Sequence, residues 1–243
     1  MSYFESRLRV NINNFNEIER KLCFCKLLGI QNVIVELENN GKKIQPDLKK
    51  RIEEITNINV KYRTNLIPKN LESLIKKLKG IGQSSNIIVV ESADKKIQIQ
   101  AAKDSRVDVI SFSGQIALKT IFPGVISLTK QNQSFIEFSL ASIMVKNKSL
   151  QSKNLRNLYR GVQLANNLKA NYIISGNFDD LYSIRHPRAL ISVCHTLLGI
   201  SLLQAKNCFS KNVVSLLNRV QMRQDRNFIE SGVKLINRGE KES

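Results

Sequence analysis

The sequence predicts an α/β protein: a distorted or incomplete TIM-like (β/α) barrel of about seven parallel strands, with extra helices at its C-terminal end. Three observations lead there. Apolar runs of strand length recur roughly 20 to 40 residues apart, the spacing of a strand-plus-helix unit. Several are rich in Val and Ile with little alternation, as strands covered on both faces are. No break in composition or low-complexity linker divides the chain, so residues 1–243 read as one domain. Residues from about 224 onward form a C-terminal extension, and NRGEKES at its end reads as a frayed tail.

The first strand is expected over Arg7–Ile12, and an amphipathic helix follows over Asn13–Leu28, stopped by Gly29. The second strand is Asn32–Glu36. The helix after it, Pro46–Thr56, opens with proline, whose missing N–H is not needed in a first turn. Strand three is Asn59–Leu66, and its helix, Asn70–Lys79, stops at Gly80. The Gly-Ile-Gly there follows a helix and precedes a strand, the reverse of a dinucleotide fingerprint, so it reads as a turn. Strands four to six are Asn86–Glu91, Val107–Ser111 and Ser134–Ser139, with FIEFSLASIM forming a long apolar strand. The longest helix is Ser149–Leu168, and strand seven is Tyr172–Ser175. A helix over LISVCHTLLG has Pro187 in its first turn. After Gly199 the rhythm changes to two consecutive helices, Ser201–Phe209 and Lys211–Val220, so an eighth strand is missing or very short.

Charge narrows the function. The chain has 38 Lys and Arg against 20 Asp and Glu, a net charge of +18, and 42% hydrophobic residues. The cations are spread along it, as at Lys42-Lys43, Lys49-Lys50-Arg51, Lys76-Lys77 and Lys95-Lys96. Such a domain repels itself unless a polyanion neutralises it, and nucleic acid is the first candidate. The bland alternative is a basic surface serving solubility. Aromatic residues make up 6% with no Trp, and no paired pattern for stacking bases stands out, so recognition by backbone and shape is expected. No stretch is apolar enough to span a membrane, and the N-terminus lacks the layout of a signal peptide, so a cytoplasmic protein is expected. Cys23, Cys25, Cys194 and Cys208 fit free thiols rather than a zinc site.

Catalytic groups are sparse. The two histidines, His186 and His195, cannot build a histidine-rich metal site, and the first strand carries no His-x-His. Strand-end carboxylates reduce to Glu36, Glu91 and Asp108, which leaves an all-carboxylate magnesium site as an alternative. No Gly-x-Ser-x-Gly elbow surrounds Ser111, Ser113 or Ser175. No catalytic and no metal-ligating residue is assigned.

Arginines carry more. In DLYSIRHPRAL, Arg185, His186 and Arg188 crowd the positive end of a helix dipole. That costs a few tenths to about 1 kcal/mol per charge and asks for a negative partner. Asp179 and Asp180 could form a purely structural knot with them; RNA phosphate is the other answer. Arg106 could pair with Asp104 or Asp108, or meet RNA. Arg156 and Arg160 share one helix face, a solvated face or a phosphate site, and arginine suits forked phosphate contacts. Lys95 and Lys96 complete the expected RNA-binding set.

Two blocks carry a family resemblance. One is AAKDSRVDVISFS (Ala101–Ser113); the other runs from Arg156 to Arg219 through its Ser-Gly turn, Arg-x-Pro-Arg, Leu-Gly and an Ala-Lys ahead of a serine. In order and spacing they resemble the archaeal ribonuclease P protein component 3 family, relatives of the eukaryotic thirty-kilodalton ribonuclease P subunit. Asn177 stands where the family commonly has alanine, and Asn212 where it has proline. The resemblance implies a barrel of the polymerase-and-histidinol-phosphatase type without its metal ligands. It implies a non-catalytic subunit of ribonuclease P, the endoribonuclease that removes the 5′ leader of precursor tRNA. It further implies that the RNA subunit holds the magnesium, that this chain binds no cofactor, and that it braces the RNA beside component 2 and other protein subunits, meeting precursor tRNA indirectly. The rival reading is a metal-dependent phosphoesterase of the related barrel family.

Overall fold

The structure is a computed structural model that describes residues 2–37, 46–55, 57–81, 84–224, 228–230 and 233–234. Lys42-Lys43 and the NRGEKES tail lie outside the described residues. Seven parallel strands follow one another in sheet order: β1 (Phe4–Val10), β2 (Asn32–Leu37), β3 (Asn59–Leu66), β4 (Ile87–Glu91), β5 (Val109–Phe112), β6 (Phe135–Ser139) and β7 (Tyr172–Ser175). Helices α1 (Phe15–Leu27), α2 (Pro46–Glu54), α3 (Leu71–Ile81), α4 (Lys95–Lys103), α5 (Gln115–Lys119), α6 (Pro123–Gln131) and α7 (Lys148–Asn167) connect them. Beyond β7 come α8 (Pro187–Leu198), α9 (Leu202–Cys208) and α10 (Lys211–Gln224), then a short antiparallel pair, Phe228–Glu230 with Val233–Lys234. That pair is a separate sheet and supplies no eighth barrel strand.

The barrel nearly closes. No ladder of strand hydrogen bonds joins β1 to β7; side chains bridge the seam instead. Ser6 Oγ donates to the Ile174 carbonyl at 3.5 Å, and Gly176 N donates to Glu5 Oε1 at 3.0 Å. Outward residues such as Val33, Val35, Ile88, Val90, Ile136 and Phe138 pack beneath the helices. Inward residues of the lower half (Phe4, Ile34, Val89, Val109, Phe135 and Ile173) meet Val213, Leu216 and Val220 of α10, which plugs the N-terminal end. Removing this surface from water is the main drive for closing the barrel.

Several boundaries differ from the sequence reading. Strand β1 begins at Phe4, three residues early, because Glu5, Ser6 and Arg7 are buried although polar. Helix α3 runs through Gly80 to Ile81 instead of stopping there; Gly82 lies outside the described residues. Strand β6 ends at Ser139, and Leu140–Ile143 forms a short 3-10 turn rather than extending the strand. Cys25, Cys194 and Cys208 are buried and Cys23 is exposed, all as free thiols. Among the described residues no helix is long and apolar enough to cross a membrane.

Candidate nucleic-acid interface

The upper half of the barrel interior is polar, and a bulge in β1 makes it so. Glu5 pairs with Val33 and Leu8 with Val35, so Ser6 and Arg7 together face Ile34 alone. An extra residue in a strand reverses which face the following side chains take. Leu8 and Val10 therefore pack among the helices, and Arg7 turns into the barrel.

There the Arg7 guanidinium donates to both Glu36 oxygens, to Glu91 Oε2 at 3.1 Å, and to Ser111 and Ser113 Oγ at 3.3 and 2.5 Å. Arg63 makes a forked pair with Glu137 at 2.6 and 2.7 Å and also donates to Asn65 Oδ1 and the Ser6 carbonyl. Burial alone would push the Glu137 carboxyl up, but Arg63 and Arg7 outweigh it and hold it at about 2. The carboxylates that a metal would need at this position are taken up by guanidinium. Among the described residues no group of three or more His, Cys, Asp and Glu could hold a metal ion. Asp108, read as a strand-end carboxylate, sits at the opposite end of the barrel, bound by Arg223 at 3.0 and 3.2 Å.

Glu5 stands apart. It has no arginine partner among the described residues, and accepts from the backbone N–H groups of Arg7 (3.2 Å) and Gly176 (3.0 Å). A Cβ at Gly176 would lie 2.6 Å from Glu5 Oε2, so glycine is needed there. Burial pushes the Glu5 carboxyl up from 4.5 to about 7, partly offset by those N–H groups. A raised acid favours its protonated form in the folded state. Its contribution to stability is therefore present below about pH 4.5 and is lost as pH rises through about 7. We expect the wild type to lose on the order of 3 kcal/mol between pH 4.5 and 8 relative to Glu5→Gln. Denaturant unfolding of both proteins across that range measures it; parallel pH profiles would contradict it.

The residues expected to meet RNA do not gather at one place. Arg185, His186 and Arg188 lie in the loop after β7 and the first turn of α8, at the C-terminal rim. The structural knot does not form there. Asp179 pairs with Arg9 at 2.7 Å, and neither Asp179 nor Asp180 reaches Arg185 or Arg188. His186 Nδ1 instead accepts from Arg188 N at 3.1 Å and caps the helix. The Arg185 guanidinium folds back onto the Tyr182 and Ile184 carbonyls, with no carboxylate partner among the described residues. Two arginines thus stand at a helix N-terminus with no carboxylate bonded to either among the described residues, a placement that the dipole disfavours.

Lys95 and Lys96 start α4 just beyond β4, on the same rim, with Lys95 Nζ 5.5 Å from the Phe122 ring centroid. Gln98 donates to Thr120 Oγ1 at 2.6 Å, and Arg160 donates to the Lys119 carbonyl at 3.3 Å. These contacts join Lys95, Lys119, Arg160 and, one turn away on α7, Arg156 along one outer surface. Sequence reasoning passed over Lys119, because nothing local marks it.

Arg106 belongs elsewhere. It precedes β5 at the N-terminal end, far side from the rim, and makes a forked pair with Asp104 at 2.9 and 2.7 Å. The structural alternative describes it, and it does not share a site with Arg185 and Arg188.

The family departures have local causes. Asn177 has φ of +52°, a conformation asparagine adopts more readily than alanine. Asn212 Nδ2 donates to the Tyr172 carbonyl at 2.7 Å, tying α10 to β7.

Charge separates along the chain more sharply than its total suggests. Residues 109–224 contain fourteen Lys and Arg but only three carboxylates, Glu137, Asp179 and Asp180. Glu137 is buried. The half of the barrel from β5 to α10 therefore presents a surface of nearly one sign.

Comparison with known proteins agrees in fold and family. A structure described as archaeal ribonuclease P with mature tRNA, from cryo-electron microscopy, contains a chain 19% identical to this one. The match covers 98% of this chain and 100% of that one with a TM-score of 0.77. An uncharacterized protein is 8% identical over 90% of this chain and 74% of its own, with a TM-score of 0.63. A Bifidobacterium longum protein described as a prolidase is 8% identical over 90% and 70%, with a TM-score of 0.60. At these identities the likeness shows a shared fold. No curated protein matches by sequence. The family model for RNase P subunit p30 matches residues 7–225, nearly the whole chain, and the protein belongs to that family.

Proposed function

We propose that this RNase P subunit braces the catalytic RNA through phosphate contacts made by the β5-to-α10 half of its barrel and the adjoining start of α4, in the ribonucleoprotein that removes the 5′ leader of precursor tRNA. The observation that carries this reading is the pair of unneutralised arginines at the α8 N-terminus, set in a stretch of fourteen cations and three carboxylates. A polyanion offsets both the dipole and the mutual repulsion. Arg185, Arg188 and His186 form the rim contact, and Lys95, Lys96, Lys119, Arg156 and Arg160 form the flank. Arg106 is left to its Asp104 pair.

The chemistry is assigned to the RNA and its magnesium ions, with no cofactor held by this chain, because the barrel centre is an arginine–glutamate network. Precursor tRNA is met indirectly, in keeping with the tRNA in the similar archaeal assembly. Component 2 is assigned as a protein neighbour. Exposed Leu197, Leu202 and Leu203, where α8 turns into α9, offer an apolar corner that a protein subunit would cover. The free thiols suit the cytoplasm.

Purifying the tagged chain from its own cells and sequencing the RNA that accompanies it tests the assignment. We expect the RNase P RNA to be enriched at least tenfold over ribosomal RNA. Enrichment of none, with the chain folded and other protein subunits present, would contradict the RNA-bracing role.

A further inference from the structure

The rim holds a second feature that phosphate contacts leave unused. Asp179 and Asp180 are the exposed carboxylates of residues 109–224, and they stand side by side in the rim loop. Repelling phosphate at the centre of a phosphate-binding rim needs a reason. Beside them Tyr182 is 80% exposed, an unusual setting for a ring that gains by leaving water. These residues and Leu181 form one wall of a cleft, and the start of α1 forms the other.

Half of the polar side chains of the cleft are already engaged. Asn14 caps α1, Lys21 bonds Glu17 at 2.6 Å and the Arg9 carbonyl at 2.8 Å, and Asp179 holds Arg9. The side chains of Asn16, Arg20, Asp180 and Tyr182 have no hydrogen-bond partner among the described residues. What remains is an aromatic face, a carboxylate, an amide and a guanidinium around one opening.

We propose that this cleft receives a single unpaired base of the bound RNA, guanine by preference. The inference rests on the reading that this rim meets RNA. Tyr182 stacks on the base, as aromatic side chains do with splayed RNA bases. The Asp180 carboxylate accepts from N1–H and the 2-amino group, the two adjacent donors that guanine alone offers on that edge. Arg20, which lines the cleft, and Arg185, bonded to the Tyr182 carbonyl, are the cations nearest for the flanking phosphates. The carboxylate thus admits a base and turns a phosphate away, which a uniformly basic rim would not do.

The test compares two hairpin RNAs, identical except for one bulged guanosine, bound to the full chain and followed by fluorescence anisotropy. Stacking of one base predicts about tenfold tighter binding of the bulged hairpin. Tyr182→Ala should erase that difference and leave the fully paired hairpin within about twofold of wild type. Asp180→Asn should erase the preference for a bulged guanosine over a bulged adenosine. Both side chains are exposed, so folding is not at stake. Equal binding of the two hairpins by the wild type, or an equal loss for both in Tyr182→Ala, overturns the base site and leaves the phosphate contacts standing. Binding of neither hairpin by the folded wild type overturns the RNA reading itself.

Discussion

Replacing Arg63 with methionine is expected to lower the free energy of unfolding by about 3–5 kcal/mol, the usual cost of stranding a buried charge. Arg63 and Glu137 are both buried, joined by bonds of 2.6 and 2.7 Å. Without Arg63 the Glu137 carboxyl keeps a distant contact to Arg7 at 3.8 Å and the Ser111 hydroxyl, neither of which replaces the forked pair. For a chain of this size the melting temperature should fall by about 10 °C. Changing Glu137 to leucine in the same protein should restore at least half of the loss, since an apolar pair of similar volume avoids desolvation. That recovery separates an ion pair holding the barrel together from a loss of packing volume. A double variant as unstable as the sum of the singles would contradict the pairing. The network also has a low-pH limit. Glu137 is held at about 2, so its stabilising contribution, present above about pH 4.5, is lost as pH falls through about 2.

The second large effect is on binding. Changing Arg185 and Arg188 together to alanine should reduce the slope of log affinity against log salt by about 1.8 for a duplex, 0.9 for each phosphate released. At 0.1 M salt this corresponds to roughly 60-fold weaker binding. Both side chains are exposed and neither has a carboxylate partner among the described residues, so stability should hold or rise slightly as two cations leave the helix N-terminus. Arg106→Ala, by contrast, should leave the salt slope unchanged, because that guanidinium is committed to Asp104. An unchanged slope in the double variant would remove the rim loop from the interface.

Much of the fold is legible in the sequence, and particular residues show why the rest is not. Strands β3 and β7 lie where their Val, Ile and Tyr content puts them, at Asn59–Leu66 and Tyr172–Ser175. Pro187 opens α8 at the predicted turn. The start of strand β1 is hard to read because a polar triplet, Glu5-Ser6-Arg7, is buried where hydrophobic pattern expects apolar groups. The same triplet hides the barrel centre. With ordinary alternation Arg7 would face the helices, and only the bulge brings it to Glu36 and Glu91. Arg63 and Glu137 are 74 residues apart in sequence and nothing local links them. The rim arginines were visible through local chemistry, a proline-started helix flanked by cations. Whether Asp179 and Asp180 neutralise them depends on Arg9, 170 residues from Asp179, which claims that carboxylate first. The opposite placement of Arg106 needed the barrel's polarity, since it precedes its strand while Arg185 follows one.

Site-directed hydroxyl-radical probing is the most direct measurement. With Cys23 replaced by serine, a single new cysteine carries an iron chelate in the reconstituted complex, at Ala189 beside the rim or at Glu53 on α2. Both positions are exposed. The account predicts cleavage of the RNase P RNA from position 189 and little from position 53. Strong cleavage from 53 and none from 189 would contradict it.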